Sequence, residues 1–292
     1  DPLGYALKLG HGLGINVHAW VNSYILWSSN FKPDNNNHIY FTKSHWTEAN
    51  IHGKMDWRIN LEQPQSPQWE GIYLSPLHPE VNPYLREIFN EIMDNYSIDG
   101  LHLDYIRFQD DYYGYNPKGR EEFNSIYSID PQDIARGIIS QRFGWSEEFV
   151  DSMIFSWDQF RRNSVTELVK MLREDIENKG YDIALSAAVK PNLIEAKTRW
   201  FQDWELWIES GLIDFVVPMN YFKDINYFNK CIDLMKSNLT SEDKDKIIMG
   251  IATYNQDAQS SADKVLLTRL NGFRGVSIFS YDSHKYNLDW FQ

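Results

Sequence analysis

Short β-like segments alternate with amphipathic helical segments along most of this 292-residue chain, and this alternation constrains its fold more than any other feature. The order is typical of βαβ units, in which a helix carries the chain between neighbouring parallel strands. We therefore expect one parallel sheet with helices packed against it. The sequence predicts seven strands, at 15–22, 71–76, 99–108, 182–190, 213–222, 246–254 and 275–282.

Helical segments separate most of these strands. In the segment 80–96, apolar residues such as Leu85 and Phe89 recur at helical spacing and form one stripe. Two long polar stretches, at about 23–70 and 109–157, interrupt the alternation and are predicted to be loop insertions. Further helices are predicted at 1–12, 157–180, 203–210, 224–238 and 261–271.

The strand count and the chain length fit a (β/α)8 barrel of the TIM type. Eight strands close such a barrel, but the chain opens with a helix where a first strand is expected. We expect that strand to lie upstream, to be supplied differently or to be absent. An open doubly wound sheet is the alternative, although no glycine-rich phosphate loop follows a predicted strand. One domain is predicted over 1–292.

The segment DGLHLDYIRF places two titratable side chains on one face of a strand. Leu101, Leu103 and Tyr105 share one face, and His102 and Asp104 share the other. Titratable groups are costly to bury without partners, so we expect this second face to contact water or to line a functional site. In a barrel the aliphatic face meets the helices, and the other face points into the lumen, whose carboxyl end forms the active-site mouth.

The same test on the strands 15–22 and 182–190 yields further lumen residues near their carboxyl ends, and Asn220 and Tyr221 of the strand 213–222 are placed in the lumen beside them. The predicted set is His18, Trp20, Asn22, His102, Asp104, Lys190, Asn220 and Tyr221.

Asp104 is the predicted catalytic residue. A carboxyl group at a strand's carboxyl end, among aromatic rings, can have a raised pKa and act as a general acid. A structural salt bridge with Arg107 or Lys190 is the alternative. Glycoside cleavage usually needs a second carboxylate, and the sequence does not choose among Asp99, Asp158, Glu195, Asp203, Asp224, Asp257 and Asp282.

The remaining lumen residues are predicted to bind substrate. Trp20 would stack on a sugar ring, because aromatic faces pack against flat apolar surfaces. His102 and Tyr221 would position the sugar or a leaving oxygen. The two insertions would form the walls of a groove, since long loops at this end of a barrel carry substrate contacts.

Several other functions are disfavoured. The net charge of -13 argues against nucleic acid or an anionic membrane as the main partner, and no apolar run is long enough to span a membrane. No Gly-x-Ser-x-Gly elbow supports a serine nucleophile. His18, His102 and Asp104 could instead be metal ligands, but they lack the close His-x-His spacing of barrel metallohydrolases. We predict no metal and no cofactor.

Several segments that contain these residues resemble the glycosyl-hydrolase-like 10 family of bacterial barrels. The resemblance rests on INVHAWVN, YSIDGLHLDYIRF, FQDWELWIESGLIDFVVPMNYF, IIMGIATY and GVSIFSY, which occur in this order across most of the chain. It implies a sugar-cleaving TIM barrel of the bacterial envelope, and some relatives cut the glycan strands of peptidoglycan. It also implies a first strand ahead of the opening helix.

The chain is also faintly similar to family-18 chitinases, whose fourth strand reads Asp-Gly-x-Asp-x-Asp-x-Glu. Asp99, Gly100 and Asp104 match that pattern, but His102 replaces the first inner Asp and Ile106 stands in place of the acidic Glu. The segment PMNYF is similar to their Met-x-Tyr-Asp strand. The resemblance implies that Asp104 would have to take over the role of the acid.

The sequence thus predicts a glycoside hydrolase that acts on an oligo- or polysaccharide, such as peptidoglycan strands, outside the cytoplasm. A carbohydrate-binding barrel without catalysis is the competing hypothesis, and a metal-dependent hydrolase is the third. The location rests on the resemblance and on the polymeric substrate, not on a signal in the chain, and the sequence does not indicate an oligomeric state.

Overall fold

The computed structural model describes residues 1–63, 69–137 and 143–291, and its strands form one parallel layer and one separate antiparallel pair. Residues 64–68 and 138–142, which fall in the two predicted insertions, and residue 292 lie outside the described ranges. The strands are β1 His18–Asn22, β2 Ile25–Trp27, β3 Ile72–Tyr73, β4 Gly100–Asp104, β5 Ala184–Val189, β6 Phe215–Pro218, β7 Ile248–Ala252 and β8 Gly275–Phe279.

The helices in the described ranges surround this layer and enter the insertions. The α-helices are α1 Pro2–Gly12, α2 Ile39–Thr42, α3 Val81–Asn95, α4 Pro117–Tyr127, α5 Pro131–Ala135, α6 Glu147–Lys179, α7 Leu193–Arg199, α8 Trp204–Glu209, α9 Ile225–Asn238, α10 Ser241–Lys244 and α11 Ala258–Leu270. Short 3-10 helices lie at Ser44–Trp46, Asp56–Arg58, Tyr281–His284 and Leu288–Phe291. None of the helices in the described ranges has the length and apolarity of a membrane span.

The parallel layer runs in the order β1, β4, β5 and β6, with each strand hydrogen-bonded to the next. Parallel bridges from Val216 to Ile247 and from Met219 to Gly250 join β6 to β7, which pairs with β8. Six parallel strands therefore follow one another, and their carboxyl ends meet at one edge. The predicted α/β architecture with a parallel sheet is confirmed.

The predicted strand 71–76 does not belong to this layer. Its residues Ile72–Tyr73 pair in antiparallel fashion with Ile25–Trp27 of the first insertion, and β1 pairs directly with β4. Ile72 and Tyr73 are both fully buried, so their apolar run resembles that of a central strand. A short buried apolar run has the same sequence pattern in a central parallel strand and in a buried antiparallel pair. The sequence prediction was wrong here for that reason.

Helix α6 begins ten residues before its predicted start at 157. Ser146 caps its amino terminus by accepting a hydrogen bond from the Phe149 N–H, and Gly180, at φ 66°, ends it as predicted. Phe155 of the first turns is exposed, so no core stripe marks this part of the helix in the sequence. The second insertion therefore holds α4, α5 and the start of α6.

The alternation along the strands is confirmed by the packing. Leu101 and Leu103 of β4 and Leu185 and Val189 of β5 are completely buried against the helices. The positions between them point to the opposite side of the sheet. These inward positions supply the side chains of the candidate active site.

Two buried carboxyl groups connect the insertions to each other. Glu48 Oε2 accepts a hydrogen bond of 2.7 Å from the Gly114 N–H, and Asp56 Oδ2 accepts one of 2.8 Å from Gln109 Nε2. Both acids are inaccessible to solvent. Burial raises the pKa of Glu48 to about 7, and it raises the pKa of Asp56 as well. The first insertion is thereby joined to the segment that follows β4.

Candidate active site

A cavity of about 510 Å³ opens at the carboxyl ends of the parallel strands. We call it the mouth cavity. Four of the eight predicted lumen residues line it together: Trp20, Asp104, Lys190 and Tyr221. They come from β1, from β4 and from the segments that follow β5 and β6. The strand alternation therefore does bring these four side chains to one place.

A second cavity, of about 370 Å³, is lined by His18, His102 and Ser186. It shares Trp20 and Tyr221 with the mouth cavity. His18 is the first residue of β1, opposite Gly100, so its predicted place near a carboxyl end was wrong. Burial lowers the pKa of both imidazoles, that of His102 to about 4, so both are neutral at pH 7.

Neither predicted asparagine lines the mouth cavity or the second cavity. The Asn220 side-chain amide donates a 3.0 Å hydrogen bond to the Phe228 carbonyl, so it points toward α9 and the core. Its neighbours Met219 and Tyr221 face the mouth cavity. Because successive residues alternate sides, Asn220 and Tyr221 cannot both face inward, and the placement of Asn220 was wrong. Asn22 is exposed at the strand end, opposite Asp104.

Asp104 is a buried carboxyl group with two hydrogen-bond donors. Its Oδ1 accepts from its neighbour Tyr105 N–H at 2.7 Å, and its Oδ2 accepts from Trp20 Nε1 at 3.0 Å. Burial raises the pKa of Asp104, although these two donors oppose the change. The predicted alternative of a structural salt bridge is not observed, since no described residue forms an ion pair with Asp104.

The backbone turns sharply after Asp104. Tyr105 has a φ of 51°, a left-handed conformation that bulky residues rarely adopt. The turn ends β4, after which Ile106 is fully buried and Arg107 lines the mouth cavity. Ile106, at the position of the chitinase acid, is therefore part of the core and offers no polar group to the cavity.

Glu70 also lines the mouth cavity, and the sequence analysis missed it. Arg107 Nη2 donates to both oxygens of Glu70, at 3.0 and 2.8 Å, and the Tyr73 hydroxyl donates to Oε2 at 2.7 Å. Burial alone would raise the pKa of Glu70, but the Arg107 charge and these donors lower it. The only signal in the sequence was Arg107, a cation near the end of the predicted strand 99–108 that needed a counter-charge.

Among the predicted second carboxylates, Glu195 alone lines the mouth cavity, where it accepts a 3.1 Å hydrogen bond from Asn192 Nδ2. Asp224 and Asp257 cap helices, and Asp99 lies at the opposite end of β4, where it accepts from the Val17 N–H. The remaining three are held in ion pairs, which are Asp158–Arg161, Asp203–Lys197 and Asp282–Lys285.

Aromatic rings form much of the cavity wall. Trp20, Phe222 and Tyr254 are about half exposed, at 53%, 44% and 56%. Tyr221 stacks on Phe279 with the ring centroids 5.5 Å apart and an interplanar angle of 9°. Such exposed faces in a concave site can pack against sugar rings.

The predicted alternative metal set does not converge among the described residues. His18 and His102 lie in the second cavity, whereas Asp104 lines the mouth cavity. Three potential ligand atoms within 4.8 Å of one another belong to His45, His78 and Glu80, which lie in the first insertion and just after β3.

Residues 1–267 match the family described as Glycosyl hydrolase-like 10. "Glycosyl hydrolase DigH" of Escherichia coli (strain K12) is 24% identical over 270 residues, which cover 87% of this chain and 54% of that protein. The chain therefore spans about half the length of this curated relative.

Two solved structures share the fold. The PgaB (BpsB) glycoside hydrolase domain from Bordetella bronchiseptica has a TM-score of 0.66 at 14% identity, over 98% of this chain and 76% of that one. The Ostrinia furnacalis Group IV chitinase has a TM-score of 0.51 at 11% identity, over 97% of this chain and 77% of that one. These likenesses confirm the predicted fold class, a barrel of the TIM type.

Proposed function

This chain belongs to the glycosyl hydrolase-like 10 family, and on that premise we propose that its mouth cavity hydrolyses a glycosidic bond of an oligo- or polysaccharide. One observation carries the proposal. Two carboxyl groups line the same aromatic cavity, and their surroundings displace their pKa values in opposite directions, upward for Asp104 and downward for Glu70. A protonated acid beside an ionised carboxylate is the arrangement that glycosidases use.

Asp104 acts as the general acid and base in this proposal. Its raised pKa favours the protonated form, from which it would donate a proton to the leaving glycosidic oxygen. The carboxylate that remains is stabilised by the N–H groups of Trp20 and Tyr105, which are already in place. That carboxylate then accepts a proton from the attacking water.

Glu70 supplies the negative charge that the positively charged transition state needs. Its negative charge is close enough to Asp104 to help raise the pKa of that acid. Glu195 is the competing candidate, because it lines the same cavity. Tyr221, whose pKa is raised by burial, keeps its hydroxyl proton and would position the sugar. Trp20 would stack on a ring.

The substrate class and the location are part of the proposal. A chitinase, which shares this fold, acts by name on an amino-sugar polymer. We extend that class to this chain and include peptidoglycan glycan strands. A polymer of that size stays outside the cytoplasm, so the enzyme would act there too. His102 lines the second cavity, from which it would help to position the sugar.

The test measures new reducing ends from a panel of glycans with the wild type and with Asp104→Asn, Glu70→Gln and Glu195→Gln. Loss of a general acid lowers the rate by about 10²–10⁴-fold, so we expect at least that loss in Asp104→Asn. Of the two glutamate variants, we expect Glu70→Gln to lose more activity. Unchanged cleavage by Asp104→Asn would refute its assignment. Glycan binding without cleavage by the wild type would make this chain a carbohydrate-binding barrel.

A further inference from the structure

We infer that Lys190 forms a subsite in the mouth cavity for a carboxylate carried by the sugar substrate. The inference rests on the proposed function and specifies its substrate class. Its basis is a cation that lines the cavity without an anionic partner among the described residues. A glycan with carboxylates would provide that partner.

The backbone of Lys190 is fixed on both sides. Its N–H donates to Gln202 Oε1 at 2.8 Å, and its carbonyl accepts from Trp204 Nε1 at 3.1 Å. The ammonium group, in contrast, lies over the Trp200 ring, 4.6 Å from its centroid, and has no hydrogen bond or ion pair with a described residue. The side chain is thus anchored at its base and free at its charged end.

The carboxyl groups that line the cavity are already engaged elsewhere. Both oxygens of Glu70 accept from Arg107, and both oxygens of Asp104 accept N–H donors. Glu195 accepts from Asn192. None of the three lies within ion-pair distance of Lys190. An ammonium group removed from water without a counter-ion is costly, so an anion that enters the cavity gains from this charge.

Arg199 strengthens the positive character of this side of the cavity. Its guanidinium carbon lies 4.9 Å from the centroid of the same Trp200 ring. Burial lowers the pKa of Lys190 to about 8; the charges of Arg107 and Arg199 add to this effect, whereas those of Glu70 and Asp104 oppose it. Neither carboxylate is in ion-pair contact with the ammonium group, so a direct anionic contact is left for a ligand.

A sugar carboxylate suits this geometry better than a phosphate. Lysine offers one compact point charge, which matches the single charge of a carboxylate, whereas a phosphate monoester carries about −1.5 to −2 charges at pH 7. Arg107 is buried and engaged by Glu70, so it does not provide a second free charge. The half-exposed rings of Trp20 and Tyr254 in the same cavity can carry the sugar ring while the ammonium group binds its acidic substituent.

The test compares glycans that differ only in their carboxyl groups. Oligogalacturonate carries the carboxylate on the ring, and peptide-free peptidoglycan strands carry it on a lactyl ether. Each is used as it is and after chemical reduction of its carboxyls to alcohols. Affinity is measured by calorimetry, and cleavage is measured from reducing ends. The proteins are the wild type, Lys190→Met, Lys190→Arg and Lys170→Met, in which Lys170 is an exposed residue of α6.

We expect the wild type to bind one carboxylated glycan about tenfold more tightly than its reduced form, as befits one charged hydrogen bond. The ratio should fall to about one in Lys190→Met, recover in part in Lys190→Arg and stay unchanged in Lys170→Met. The glycan that shows the ratio identifies the source of the carboxylate.

The other outcomes separate the inference from the proposed function. Equal binding and cleavage of both forms by the wild type would overturn the subsite and leave the hydrolase standing. A carboxylate preference that survives in Lys190→Met would also overturn it. Preferential binding that depends on Lys190 but brings no cleavage would support the subsite and refute the hydrolase. Binding to none of the glycans would overturn both.

Discussion

The hydrogen bond from Trp20 to Asp104 offers a direct way to move the pKa of the proposed acid. The indole Nε1 lies 3.0 Å from Asp104 Oδ2, and its N–H stabilises the ionised carboxylate. Trp20→Phe keeps an aromatic ring but removes the donor. The carboxylate loses stabilisation that the protonated acid does not need, so the pKa of Asp104 must rise further above its usual range.

The size of the rise depends on the strength of the bond. A hydrogen bond to a charged group contributes about 1.5–3 kcal/mol, and about 1.4 kcal/mol corresponds to one pH unit. Trp20 is half exposed, so water can replace part of the lost donor. We therefore expect the pKa of Asp104 to rise by about one pH unit, the lower end of this range.

The assay follows the carboxyl carbon of Asp104 by NMR during a pH titration of protein labelled with ¹³C aspartate, and Asp104→Asn assigns the signal. In a cleavage assay, the alkaline limb of the rate profile should move to higher pH by the same amount, because a general acid works while protonated. The control is Phe222→Leu, which trims another exposed ring of the cavity. An unchanged or lower pKa in Trp20→Phe would refute the reasoning.

Three further predictions concern stability. Glu48, with its pKa raised to about 7, stabilises the fold while protonated, so about 3 kcal/mol of the free energy of unfolding is lost as the pH rises from 4.5 to 7. Glu48→Gln cannot ionise, so urea titrations at several pH values should show that the variant does not lose this stability. Glu70→Ala leaves the buried Arg107 without its counter-charge and should lower the free energy of unfolding by about 2 kcal/mol, and the double variant with Arg107→Met should regain part of it. Gly100→Ala would place a methyl group 2.0 Å from the His18 ring and should cost about 1–3 kcal/mol, and His18→Ala should relieve that cost. An additive double variant would contradict either of the last two.

Features that depend on strict periodicity were predictable from the sequence. The two-residue period of β4 separated Leu101 and Leu103 from His102 and Asp104, and the structure keeps that separation. Asn220 and Tyr221 are successive residues after β6, and of the two only Tyr221 lines the mouth cavity, so the prediction that both face the lumen was wrong.

Features that depend on contacts between distant segments were not predictable in this way. Glu70 enters the cavity from the end of the first insertion, and nothing in its own neighbourhood marks it as a site residue. Its position depends on the antiparallel pair of β2 and β3, which joins residues far apart in the chain. Irregular segments of this kind lack a period, so their fold is decided by contacts that a single sequence does not display.

The ion pair between Glu70 and Arg107 has a consequence for how the site responds to deformation. Arg107 comes three residues after Asp104, so the link between the two carboxyl groups is a short piece of backbone and one guanidinium group. It does not cross the sheet. A distortion of the parallel sheet would therefore move both groups together, because this link does not depend on the pairing between strands. The spacing between Asp104 and Glu70, on which the proposed hydrolysis depends, is thus set locally, and changes elsewhere in the sheet can reshape the cavity without altering it.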